Sequence, residues 1–109
     1  MSIIDYEKLV RDKIPQIIEQ SGKIAYYSKL SKEDLKLALK RKLCEEAVEF
    51  YQAETKEQQI EELADIFEVV FAILWSNHIM ISEVAHKRFE KAEEKGSFKK
   101  GIYLHRVED

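Results

Sequence analysis

Apolar residues recur along this chain at the three- and four-residue spacing of amphipathic helices, and capping signals separate the periodic stretches. The pattern predicts four helices. The first is short and runs from Asp12 to Gln20, with Pro15 in its opening turn and Gly22 just beyond its end. Proline near the start and glycine past the end are both typical of helix boundaries.

Two long helices are predicted next, and each begins at a sequence that resembles a capping box. Ser31 opens the second helix, which continues to about Glu54. Thr55 and Gln58 form the second S/T-x-x-E/Q box and open a third helix that reaches about Asn77. Because the connection between these two helices is so short, they are predicted to lie antiparallel.

The last third of the chain predicts a fourth helix and an extended tail. Ser82 is the predicted N-cap, and Gly96 is the predicted left-handed residue after the helix. The tail from Gly101 to Val107 alternates apolar and polar residues, which predicts a short strand paired with residues 24–27. The predicted fold class is therefore all-α, a four-helix-type bundle with at most a minor strand pair.

Four carboxylates occupy or border helix positions that should be apolar. At about 100° per residue, Glu46 and Glu49 lie within the apolar stripe of the second helix. Glu62 shares the apolar face of the third helix, and Asp65 lies at the edge of that face. Four buried carboxylates would repel one another and raise their own pKa values. The sequence therefore predicts a cation between them, whereas an isolated E-x-x-E pair is more simply a solvated helix face.

The residue types around this cluster indicate which cation and which ligand. Oxygen donors without cysteine or a matched histidine suit Mg²⁺, with Mn²⁺ as the alternative, and such ions bind substrate phosphates at their open positions. The lysines of the fourth helix could neutralise phosphate oxygens, or could pair with neighbouring glutamates on a solvated face. Lys8, Arg11 and Lys13 present the same two alternatives. The basic series on the fourth helix consists of Lys87, Lys91 and Lys95.

Composition narrows the classes of protein to which the chain can belong. Its 109 residues predict one domain, 1–109, and a chain this short is expected to gain stability by forming an oligomer. The net charge of −3 argues against a nucleic-acid partner. One cysteine, no signal-peptide pattern and no apolar stretch of membrane-spanning length predict a cytoplasmic protein that does not cross a membrane.

The two acidic clusters resemble a known signature. Glu45-Glu46-Ala-Val-Glu49 and Glu61-Glu62-Leu-Ala-Asp65 look like the EExxE…ExxD motif of the MazG-like, all-α nucleotide pyrophosphohydrolases. The stretches at 8–15 and 95–104 resemble the ends of a compact branch of that superfamily, related to phosphoribosyl-ATP pyrophosphohydrolase. The resemblance implies a helical homodimer or homotetramer that uses Mg²⁺ to hydrolyse a nucleoside triphosphate to the monophosphate and pyrophosphate.

The resemblance also implies roles for individual residues. The metal ligands would be Glu46, Glu49, Glu62 and Asp65. Glu45 or Glu61 would orient or deprotonate the attacking water, and the sequence does not choose between them. The candidate contacts to phosphate and substrate are Lys8, Arg11, Lys91, Lys95 and Phe98. The branch usually has Arg-Gly-Gly-Phe where this chain has Lys95-Gly-Ser97-Phe98, so a point charge replaces a bidentate fork.

Three alternatives remain open. House-cleaning of nucleoside triphosphates ranks first and phosphoribosyl-ATP second, because phosphoribosyl-ATP pyrophosphohydrolases typically carry a Tyr-His pair shortly after the second acidic motif, and residues 65–70 of this chain lack one. A non-catalytic regulatory or partner-binding dimer would explain the amphipathic helices. It would not explain acids on packing faces, where apolar residues stabilise more. A di-iron bundle calls for Glu-x-x-His pairs that the chain lacks.

Overall fold

The computed structural model describes residues 2–109 and confirms that the chain is all-α. Its helices are α1 (Ile14–Gln20), α2 (Lys32–Gln52), α3 (Lys56–Ser76) and α4 (Ile81–Lys95). Within residues 2–109 there is no strand, so the predicted pairing of the tail with residues 24–27 is wrong. An alternating pattern stabilises a strand only when one face becomes buried, and Ile102 and Leu104 remain 83% and 74% exposed.

Side-chain caps determine where the two long helices begin, as the sequence predicts. The Ser31 hydroxyl accepts a hydrogen bond from the Asp34 N–H at 3.2 Å. The Thr55 hydroxyl accepts from the Gln58 N–H at 3.1 Å, and the Gln58 side chain accepts from the Thr55 N–H at 3.3 Å. Only residues 53–55 separate α2 from α3, so the two helices pack against each other as an antiparallel pair.

The two short helices differ from prediction at their ends. α1 begins at Ile14 instead of Asp12, with Pro15 in its first turn. In α4, Ser82 is not the N-cap, because the Met80 N–H donates to the Glu83 carboxylate at 2.8 Å, Met80 is the N-cap and the helix begins at Ile81. Gly96 has a positive φ of 87° but a ψ of 179°, which lies outside the left-handed helical region and is open essentially only to glycine.

The chain forms two compact units, one ending at His78 and the other running from Ile79 to Asp109. The first contains α1, α2 and α3, and the second contains α4 and the tail. α4 has no buried residue. Closure of the four helices into one bundle within a single 1–109 domain therefore remains a prediction.

The first unit has a very small core. Its buried apolar residues are Leu39, Val69 and Leu74. Large apolar side chains of α3 remain outside that core, with Phe67 63% and Trp75 75% exposed. Exposed apolar surface of this extent is typical of a face that another surface covers.

Membrane-spanning character is not found in any single helix of residues 2–109. α3 and α4 meet the length and composition required of a span only when they are counted together as a bent pair.

Candidate metal centre

The α2–α3 contact brings three of the four predicted ligands together. One carboxylate oxygen from each of Glu46, Glu49 and Glu62 lies within 4.8 Å of the other two. Glu46 and Glu49 share a face of α2 because three residues are close to one helical turn. The short connection between the helices then aligns the first half of α3, with Glu62, against the last turns of α2.

Glu46 is the most deeply buried of these acids. It is 5% exposed, and it is the one charged residue among positions 2–109 that is classed as buried. Its Oε2 atom and the Oε2 atom of Glu62 are both buried without a hydrogen-bond partner. Buried polar atoms nearly always have partners, so two orphaned carboxylate oxygens beside a third carboxylate mark an arrangement that a cation would complete.

The pKa values of both acids respond to this environment. The pKa of Glu46 is raised to about 7, chiefly by loss of solvation and then by the neighbouring carboxylates of Glu49 and Asp65, against a smaller lowering by Lys42. Loss of solvation is also the largest cause of the raised pKa of Glu62, followed by Glu49 and then Asp65. Glu46 therefore carries a proton part of the time near neutral pH, and a divalent ion would compete with that proton.

The oxygen positions fit a hard divalent cation. Two oxygens on opposite sides of one Mg²⁺ lie about 4.2 Å apart. Adjacent oxygens on such an ion lie closer, about 3 Å apart, so side-chain rotations would have to bring the three carboxylates from within 4.8 Å of one another onto one ion. The exposed side of Glu49 leaves room for water and for substrate oxygens.

Asp65, the fourth predicted ligand, lies beside the cluster but has another partner. A guanidinium nitrogen of Arg11 donates to Asp65 Oδ1 at 2.7 Å. The pair joins the segment before α1 to α3, and its side chains are 58% and 39% exposed. The sequence predicts Arg11 as a phosphate contact, but no pattern in the sequence indicates that it pairs with Asp65.

Lys42 is a second cation at the cluster, and the sequence analysis missed it. Its ammonium lies 3.6 Å from Glu45 Oε2 and 3.7 Å from Glu46 Oε1. Only 22% of its side chain is exposed. The four-residue spacing between Lys42 and Glu46 is the signal that could have revealed this contact.

The two candidate catalytic glutamates lie in different clefts. Glu61 lines an open cleft together with Glu49 and Glu62. Glu45 lines a cleft of about 250 Å³ together with Lys42 and Lys8. Lys8 thus lies near the acidic site, where its ammonium is also 5.8 Å from the Tyr6 ring centre. Both glutamates are exposed and accessible to water.

The remaining predicted substrate contacts belong to the second unit. Lys91 and Lys95 are exposed on α4, and Phe98 is 99% exposed in the tail. Lys87 of the same basic series pairs with Glu90 at 3.0 Å, as expected of a lysine on a solvated helix face. A role of Lys91, Lys95 and Phe98 in substrate binding remains a prediction.

Comparison with known proteins adds one match. A family model described as phosphoribosyl-ATP pyrophosphohydrolase matches residues 5–93. No curated protein and no solved structure matches the chain. The matched range contains both acidic motifs, all of α1 to α3 and most of α4.

Proposed function

Because the chain belongs to the phosphoribosyl-ATP pyrophosphohydrolase family, within the MazG-like all-α superfamily, we propose that it is a metal-dependent nucleotide pyrophosphohydrolase. Phosphoribosyl-ATP is the first substrate to test, with the monophosphate and pyrophosphate as products. The observation that carries the proposal is the cluster of Glu46, Glu49 and Glu62 with its two orphaned buried oxygens.

The cluster also argues against a non-catalytic helical module. A protein that used α2 and α3 only for association would be more stable with apolar residues in place of Glu46 and Glu62. Retaining them raises the pKa values of both acids, which is a cost to the folded metal-free chain. Such a cost is typical of a site kept for binding or catalysis.

Four residues would hold the ion, which we propose to be Mg²⁺ with Mn²⁺ as a substitute. Glu46, Glu49 and Glu62 supply the clustered oxygens, and Asp65 is the adjacent fourth ligand. When bound, Mg²⁺ supplies neutralisation of charge on the phosphoryl oxygens and lowers the pKa of a coordinated water.

Glu61 is the better placed of the two candidate bases. It shares the cleft of Glu49 and Glu62, so its carboxylate could orient a water there and accept its proton. The Glu45 carboxylate instead lies 3.6 Å from the Lys42 ammonium and outside the cleft that Glu49 and Glu62 line. We therefore assign the general base to Glu61 and a structural ion pair to Glu45.

The choice of substrate rests on the family match. That match favours phosphoribosyl-ATP over the ordinary nucleoside triphosphates that the sequence motifs alone ranked first. Ordinary nucleoside triphosphates remain the second candidate, because residues 65–70 lack the Tyr-His pair that the resemblance associates with phosphoribosyl-ATP.

We propose that the protein acts as a homodimer or homotetramer in the cytoplasm. The oligomer is supported by the small core and by the exposed apolar residues of α3, including Phe67, Phe71 and Trp75. A second copy covering this face would complete the packing that one chain leaves open.

Substrate choice is tested by measuring kcat/KM for phosphoribosyl-ATP and for a panel of nucleoside triphosphates with Mg²⁺, using pyrophosphate release. We expect phosphoribosyl-ATP to be the preferred substrate and Glu46→Gln to abolish turnover. Glu33→Gln, which changes an exposed glutamate at the far end of α2, is the matched control and should retain activity. Preference for another nucleotide would support the second candidate, and no pyrophosphate from any nucleotide would contradict the proposal.

A further inference from the structure

The acidic site already contains two cations of the chain itself. Within residues 2–78 the ion pairs are Arg11 with Asp65, and Lys42 with Glu45 and Glu46. Lys42 lies one turn before its partners on the same helix, and its ammonium is 3.6 and 3.7 Å from their carboxylate oxygens. Its contacts are therefore local in sequence. Arg11 is different, because it comes from a distant segment and makes a much closer contact of 2.7 Å.

The contact of Arg11 competes with the ligand role proposed for Asp65. Asp65 Oδ1 receives the guanidinium nitrogen, so a metal ion that takes this oxygen must displace Arg11. The guanidinium cannot yield by losing a proton, because arginine stays charged at every pH the fold tolerates. Both side chains are substantially exposed, and an exposed ion pair is separated at little cost. Arg11 can therefore leave Asp65 by moving its side chain, with no change in its protonation.

A displaced Arg11 would meet the substrate. Its planar fork binds phosphate oxygens in a bidentate manner as well as it binds a carboxylate. A polyphosphate bound at the neighbouring acids brings several negative charges to the edge of the site where Asp65 lies. Arg11 lies at this edge through its contact with Asp65, so it is the arginine placed to supply the counter-charge that a bound phosphate would need.

We infer that Arg11 is an exchangeable counter-ion of the site: it pairs with Asp65 when metal is absent and binds a phosphate oxygen of the substrate when metal takes Asp65. This inference rests on the proposed function, since it takes the acids to be metal ligands. The competing view is that Arg11 permanently supports Asp65 and orients it toward the metal. The two views predict opposite effects of removing Arg11 on metal affinity.

The test is a titration with Mn²⁺ alone, followed by the electron paramagnetic resonance of free Mn²⁺, on wild type, Arg11→Ala and Arg11→Lys. Loss of a competing exposed ion pair should tighten Mn²⁺ binding by Arg11→Ala about two- to fivefold. In Arg11→Ala the KM for phosphoribosyl-ATP should rise about tenfold or more, with a smaller change in kcat, since a charge-assisted contact to phosphate is lost. Arg11→Lys should fall between wild type and Arg11→Ala in KM.

Lys23→Ala is the matched control, because Lys23 is exposed, lies just after α1 and makes no ion pair within residues 2–109. It should leave both Mn²⁺ affinity and KM near the wild-type values. Weaker Mn²⁺ binding by Arg11→Ala would overturn the inference in favour of a fixed support, and so would an unchanged KM. Absence of Mn²⁺ binding by the wild type would overturn the proposed function itself, which separates the two failures.

Discussion

Glu46 of α2 and Glu62 of α3 present carboxylate oxygens within 4.8 Å of each other across the contact between the two helices. Each carries one buried oxygen with no hydrogen-bond partner. Two like charges in this position destabilise the helix pair unless they are protonated or share a cation. The stability, the metal dependence and the activity of the protein are therefore linked through the same pair of residues.

The first prediction concerns pH and the metal-free protein. The pKa of Glu46 is raised from 4.5 to about 7, so its folded form favours the proton. This group costs nothing well below pH 4.5, and its cost grows as pH rises from about 4.5 to about 7 and then levels off at about 3 kcal/mol of unfolding free energy. In urea unfolding with chelator present, Glu46 should lower the unfolding free energy more at pH 8 than at pH 5.

Glu46→Gln isolates that contribution, because the amide keeps the shape of the side chain and does not ionise. Its unfolding free energy should fall less between pH 5 and pH 8 than that of the wild type. Identical pH profiles for the two proteins would mean that Glu46 has an ordinary pKa and that the acids do not oppose one another.

The second prediction concerns added metal. A ligand at about one hundred times its dissociation constant stabilises the folded state by about 2.7 kcal/mol. For a domain of this size that corresponds to a rise in Tm on the order of 10 °C. Calorimetry at pH 8 should show such a rise with Mn²⁺ for the wild type and a much smaller one for Glu49→Gln. An equal rise in both proteins would place the ion elsewhere.

The third prediction separates the two candidate bases. Glu61→Gln should lower kcat about 10²- to 10⁴-fold, the range associated with loss of a general base. Glu45→Gln should lower kcat less than about tenfold, because its carboxylate pairs with Lys42 instead of lining the cleft of Glu49 and Glu62. The comparison requires saturating Mg²⁺ and nucleotide, and the reverse order of effects would move the base to Glu45.

The fourth prediction concerns association. Phe71→Glu introduces a charge on the exposed apolar face of α3 and should convert the oligomer to a smaller species in sedimentation velocity. Val107→Glu, an equally drastic change at an exposed position of the tail, should leave the assembly intact. A wild type that sediments as a monomer at micromolar concentration would contradict the proposed oligomer.

Local chemistry explains which parts of the fold were predictable. The Thr55–Gln58 box involves residues three positions apart, so its sequence is sufficient to place the start of α3. Ser82 is not the N-cap because the Glu83 carboxylate accepts a hydrogen bond from the Met80 N–H and the helix begins before Ser82. The tail failed as a strand because alternation alone does not supply a partner or a buried face.

At the site, too, features set by residues close in sequence were predictable, and features that depend on distant parts of the chain were not. Helical periodicity was enough to predict that Glu46, Glu49 and Glu62 converge, since each lies on the face by which its helix packs. The pairing of Arg11 with Asp65 was out of reach, because it joins a non-helical segment to a distant helix and depends on tertiary folding. The sequence motifs and the family match rank the substrates differently, because the motif ranking depends on one missing residue pair whereas the match reports the pattern of residues 5–93.

The most direct measurement is phosphorus magnetic resonance of the products formed from phosphoribosyl-ATP and from ATP, with Mg²⁺ or with chelator. We predict that pyrophosphate appears together with the corresponding monophosphate, that chelator stops its formation, and that Glu62→Gln forms none. Orthophosphate in place of pyrophosphate, or equal turnover by Glu62→Gln, would contradict the assignment of the α2–α3 acids to a metal-dependent pyrophosphohydrolase site.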